Sequence, residues 1–188
     1  MCKGDLMSVS FVNSVIVDFQ YLRGNSAGEH FVKELAYCPL STFHIKSYDF
    51  KSPYSLKQLT DEKALKTNEY VKNKMGINWL DGYINYNKLE IVLNRLKFHT
   101  IYVKGEKKKK LLQLYLPETI IHNLEDVISG VPSLQKMKDF KMYCEFHSSC
   151  TPCYRKLVKR CNHITVKSCA HNNVVNLFYM CHERKFGL

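Results

Sequence analysis

Phe11–Tyr21 (FVNSVIVDFQY) is rich in β-branched and aromatic residues, with one acid, Asp18, near its end, and reads as a buried strand. Arg23–Gly28 (RGNSAG) has turn composition, and Phe31–Cys38 (FVKELAYC) and Thr42–Tyr48 (TFHIKSY) read as a second and a third strand. The connections are too short for helical crossovers, so the three strands are expected to form an antiparallel meander. From Ser55 to Met75 the pattern turns helical, with Leu56, Leu59, Ala64, Leu65 and Val71 on the apolar face. Gly76–Gly82 is a loop carrying the only tryptophan, Trp79.

Asn85–Leu96 shows a helical stripe at Leu89, Val92, Leu93 and Leu96. His99–Val103 is a short strand, Gly105 breaks into a helix over Glu106–Leu116, and Pro117 ends it. Ile120–Leu124 fits a short strand or the start of a helix, and Asp126–Pro132 is a turn region. Ser133–Tyr143 reads as a helix, and Cys169–Met180 as a closing one with Ala170, Val174, Leu177 and Phe178 on one face. The expectation is one α/β domain over residues 1–188 with a mixed sheet.

Composition adds two features to this picture. The net charge is +11 and lies unevenly: residues 1–100 carry 13 basic against 10 acidic side chains, residues 101–188 carry 15 against 7. A basic half attracts phosphate backbones or anionic surfaces; the bland alternative is a solvated face that maintains solubility. The run Lys107–Lys110 is the densest part of that charge, although four consecutive lysines on a helix spread around it and any single one is expected to be partly solvated. No apolar run is long enough to cross a bilayer, and Met1–Asp5 lacks the apolar stretch of a leader, which predicts an intracellular protein with no membrane partner.

In a reducing compartment the eight cysteines are expected to be thiols or metal ligands. Six of them fall in residues 144–181, where they alternate with His147, His163 and His171, a pattern that suits zinc better than disulfides. Cys144 and His147 have the Cys-x2-His spacing that brings two side chains to one metal from a tight turn. Cys169 begins a helix, where negative charge is favoured. Cys150 and Cys153, with Cys161 and His163, make a second possible site. Buried thiols that pack as small hydrophobes are the other reading of these cysteines, and the preferred one for Cys2, Cys38 and Cys181. No Gly-x-Ser-x-Gly, phosphate-binding glycine loop or His-Glu-x-x-His occurs.

The order of elements, with Asp18-Phe19-Gln20 on the first strand, Val32–Ala36 on the second and Asn68–Trp79 before the next helix, resembles the RNase H-like fold of DnaQ-type exonucleases. The resemblance implies a three-layer fold whose first three strands are antiparallel. Those enzymes hold two divalent ions about 3.5–4 Å apart with four carboxylates. Here Gln20 stands for the second acid of the first motif, Lys108 falls near the acid of the next, and Ser168 and Asn173 take the two places of the last. The resemblance therefore implies that classical two-metal chemistry is lost, with Asp18 a relic or simply a strand-end residue capping a turn.

The Maelstrom domain is similar in lacking the carboxylate set, and the pattern also resembles uncharacterised insect proteins of this general type. That domain carries a Glu-Cys-His-Cys zinc constellation, which this chain matches with Glu34, Cys144, His147 and Cys169; a surface strand glutamate is the plainer reading of Glu34 alone. What the resemblance implies is a zinc-stabilised, nucleic-acid-binding domain with single-stranded RNA as partner; their charge makes Lys107, Lys108, Lys109 and Lys110 its candidate phosphate contacts. The alternatives are a non-classical ribonuclease using Asp18 or Glu34, and a basic module that recruits an acidic protein.

Overall fold

The computed structural model describes residues 12–132 and 169–186. Five strands form one mixed sheet in the order β3-β2-β1-β4-β5. β1 (Ser14–Arg23) and β2 (His30–Pro39) are antiparallel, as are β2 and β3 (Lys46–Asp49). β4 (Thr100–Val103) and β5 (Ile121–Asn123) run parallel to β1. The expected meander is thus present, and β3 is shorter than its sequence pattern.

Helices cover both faces. On one, Val15, Val17 and Phe19 of β1 pack with Leu89, Val92 and Leu93 of α2 (Leu89–Asn94) and with Leu111 and Leu112 of α3 (Glu106–Tyr115). On the other, Ile16 and Ala36 pack under Ala170, Val174, Leu177 and Phe178 of α5 (Ala170–Phe186), the stripe expected from the sequence. Further along the same face Leu22 meets Ala64 of α1 (Glu62–Met75), with Ile77 and Trp79. Period-two alternation along β1 feeds these layers.

One helix boundary differs from expectation for a long-range reason. The helix expected from Ser55 is interrupted: Leu56–Gln58 forms a 3-10 turn, and α1 starts only at Glu62. The side chain of Asn25, in the β1–β2 turn, accepts from Thr60 and Asp61 backbone N–H groups at 2.7 and 3.2 Å, which holds that stretch out of a continuous helix. Asp61 then caps α1 by accepting from the Ala64 N–H, and Gly76, at φ 69°, closes it in the left-handed region. The stretch 120–124 proves to be both of its alternatives. Ile121–Asn123 is a strand, and Asn123 caps the single-turn α4 (Leu124–Val127).

A bulge interrupts the β1–β2 ladder. Gln20 pairs with Glu34, but the next residue, Tyr21, pairs with Val32, so Lys33 is the extra residue of the bulge. The buried Lys33 ammonium donates to the Ser52 hydroxyl (2.9 Å) and to the carbonyls of Trp79 (3.0 Å) and Asp81 (2.7 Å). It thereby ties β2 to the loop that carries the tryptophan. The expected helix over residues 133–143 lies outside the described residues.

Candidate functional site

Residues opposite each other in a ladder share a face of the sheet. Asp18, Ala36 and Ser47 therefore form one row across β1, β2 and β3, and Gln20, Glu34 and Asp49 form the next. Both rows lie on the α5 side, where Ala36 packs under that helix. Asp18 and Gln20 fall on β1 between Ile16, in the cluster under α5, and Leu22, in the cluster under α1.

Asp18 is 0% exposed, in mid-strand, and caps no turn. Its two oxygens are taken by different elements. Oδ1 accepts from the Lys108 ammonium at 2.5 Å, and Oδ2 accepts from the Asn173 amide at 2.8 Å. Lys108 reaches it because β4 pairs only with Ser14–Ile16, leaving the rest of β1 without a neighbour on that side. Gly105, at φ 102°, turns the chain there, and its N–H is held by the Asn123 side chain at 2.9 Å. The first turn of α3 thus lies beside the unaccompanied half of β1. Asn173 arrives from the first turn of α5. The two side chains that meet on Asp18 are two of those singled out in the sequence as standing in place of acids.

The four lysines have separate environments. Lys108 is turned inward, with its side chain 15% exposed. Lys107 is exposed and holds its ammonium 5.0 Å from the centre of the Tyr21 ring. Lys110 is exposed and 3.8 Å from Glu106, and Lys109 is half-buried. Another inward lysine that sequence reasoning missed, Lys104, follows β4 and pairs with Glu125 of α4 at 2.5 Å. That hydrogen bond is the main cause of a Glu125 carboxyl below its ordinary range, partly opposed by burial.

Glu34 is buried, not a surface glutamate, and its Oε2 accepts from the Ala170 N–H at 3.4 Å. The neighbouring Cys169 is also buried, and its sulfur accepts from the Asn172 N–H at 3.3 Å. A carboxylate and a thiol are therefore each held by an N–H group at the start of α5, where the helix dipole favours negative charge. His171, on the same turn, is 2.8 Å from the Ser47 hydroxyl through Nδ1. Nothing in the sequence signals that contact, because 124 positions separate its partners. Cys144, His147, Cys150, Cys153, Cys161 and His163 lie outside the described residues. Among the described residues no group of three His, Cys, Asp or Glu side chains has metal-holding geometry.

Cys38 and Cys181 are buried in the apolar cluster under α5, as buried thiols should be. Burial pushes the Cys38 thiol up to about 11. No helix among the described residues is long and apolar enough to cross a membrane. Compared with family models, with curated proteins and with solved structures, the chain finds no match.

Proposed function

We propose that the chain is a zinc-stabilised, RNase H-like domain of the DnaQ type that has lost two-metal nuclease chemistry and binds nucleic acid, single-stranded RNA in the first instance. The observation that carries this reading is the pairing of buried Asp18 with Lys108 and Asn173. A metal-binding acid needs free oxygens and acidic neighbours. Asp18 instead has an ammonium on one oxygen and an amide on the other, and its neighbour on the same face of the strand, Gln20, is neutral. The ammonium supplies a positive charge where a cation would otherwise balance Asp18, and it repels divalent ions. The sheet order, with three antiparallel strands and then two parallel to β1, is in keeping with the same ancestry.

Zinc would be held by Glu34 and Cys169, with Cys144 and His147 as the remaining ligands. The first two fit: both are buried, and both lie where the start of α5 stabilises anions. Bound there, the metal supplies folding free energy by tying β2 to α5. The basic excess of residues 101–188, with Lys107 and Lys110 facing solvent, supports an anionic polymer as partner.

The test combines metal analysis with nuclease and binding assays on purified, reduced protein. Zinc should copurify stoichiometrically, labelled single-stranded RNA should bind with steep salt dependence, and magnesium or manganese should elicit no trimming. Processive 3′-end trimming that is lost in Asp18→Ala would refute the proposed loss of chemistry.

A further inference from the structure

Beyond Asp18, β1 ends in a group of cations that the ion pairs described above leave unused. Arg23, the last residue of β1, pairs across the ladder with His30. Its backbone is clamped by Asn68, which accepts from the Arg23 N–H at 2.8 Å and donates to the Arg23 carbonyl at 2.9 Å. His30 meets the Tyr21 ring edge-on at a centroid distance of 4.9 Å, and the Lys107 ammonium sits 5.0 Å from the centre of that ring. Tyr21 therefore carries the imidazole and the ammonium, and Arg23 follows two residues along the strand.

Of the nearby acids, Glu29 lies against Gly24, beside Arg23, and keeps its charge, while Glu106 and Asp18 face other lysines. The Glu29 carboxylate accepts from the Ser26 N–H at 3.2 Å, Glu106 lies 3.8 Å from Lys110, and Asp18 pairs with Lys108. Neither Arg23 nor Lys107 has a carboxylate partner among the described residues. Clustered, partly exposed cations that no ion pair neutralises repel one another, and a phosphate from outside relieves that repulsion.

We propose that Arg23, His30 and Lys107 form a phosphate subsite for single-stranded nucleic acid, at the end of β1 farthest from its pairing with β4. The assignment rests on the nucleic-acid reading above and adds where one phosphate sits and how pH regulates it. Arg23 and Lys107 supply permanent charge, and the Tyr21 ring steadies Lys107 through a cation–π contact. His30 supplies the variable part. Its Nδ1 is 2.5 Å from the Gly28 carbonyl, which accepts from it, so Nε2 is the nitrogen that gains a proton on acidification.

Burial first, then the charges of Lys107 and Arg23, hold the His30 imidazole below its ordinary value of 6.5, against the opposing pull of the Gly28 carbonyl. The Tyr115 hydroxyl, from α3, donates to the His30 carbonyl at 3.4 Å and adds no charge while it stays protonated. Without a ligand, His30 is therefore neutral near pH 7. A bound phosphate favours the imidazolium, and by linkage protonation favours the phosphate. Affinity should rise as the pH falls below the ordinary imidazole range.

The experiment is fluorescence anisotropy of a labelled oligouridylate at low salt, from about pH 7.5 to about pH 5.5, with thermal melting as a check of folding. It compares the unmodified chain with Arg23→Gln, His30→Gln, Lys107→Gln and, as a distant control, the exposed Lys57→Gln. Arg23→Gln and Lys107→Gln should each weaken binding about tenfold and reduce the salt slope by about 1. His30→Gln should bind like the unmodified chain at the upper pH and lose the gain on acidification. Lys57→Gln should change nothing. Oligouridylate that binds equally well to all three folded subsite variants, with the same pH dependence, overturns the subsite and leaves the nucleic-acid reading standing. A folded, unmodified chain that binds no oligouridylate or oligodeoxythymidylate at any pH overturns that reading and the subsite with it.

Discussion

Replacing Lys108 with Met keeps most of the side chain and removes the ammonium from a carboxylate that is 0% exposed. At 2.5 Å the gross attraction is about 7 kcal/mol for an effective dielectric constant of about 20, and the cost of desolvating both charges offsets much of it. The quantity measured is different, because Lys108→Met leaves Asp18 buried with the Asn173 amide as its remaining partner among the described residues. Loss of one member of a buried pair costs about 3–5 kcal/mol. For a chain of this length that lowers the thermal midpoint by about 10 °C. Asp18→Asn/Lys108→Met removes both charges together and should recover most of the loss. Urea unfolding of the four proteins of the cycle at neutral pH reads the coupling directly. Lys108→Met within about 0.5 kcal/mol of the parent, the range of an ordinary surface substitution, would refute the buried pair and with it the account of Asp18.

Lys33→Met removes the donor shared by Ser52, Trp79 and Asp81 and should cost about 2–4 kcal/mol, with a red shift in the emission of the sole tryptophan; an unchanged spectrum and midpoint would show that the loop does not depend on the bulge lysine. Cys169→Ala should lower zinc content and stability together, whereas metal-free parent protein that stays fully folded would sink the zinc assignment. Because the folded Glu125 carboxyl titrates below its ordinary 4.5, the unfolded chain binds more protons over that interval. The contribution of the Lys104 pair is thus present above that value and lost as pH falls through the folded one. Glu125→Gln should flatten the acid limb of the stability profile, and an identical limb would contradict the pairing.

The layers of this molecule were legible because period-two and helical patterns reflect burial that every strand and helix meets on its own. The apolar side of β1, the stripe of Ala170, Val174, Leu177 and Phe178 on α5, and the helix start beside Cys169 all follow from that local rule. Asp18 also stood out, as the one charge in an apolar strand. Its partners did not follow in the same way. A family resemblance singled out Lys108 and Asn173 as replacements for acids, but periodicity does not distinguish one lysine in a run of four.

The direction of Lys108 was decided by tertiary structure. β4 ends while β1 continues, Gly105 turns α3 into the gap, and the third residue of the helix then faces Asp18 while the second faces Tyr21. The break before α1 has the same origin, since Asn25 competes for the backbone N–H groups of Thr60 and Asp61 from 35 residues away. So does the phosphate subsite, which gathers its side chains from β1, β2 and α3. A local pattern records only whether a position is wet or dry. Which charge meets which depends on strand pairing and on where each strand stops, and those are properties of the assembled sheet.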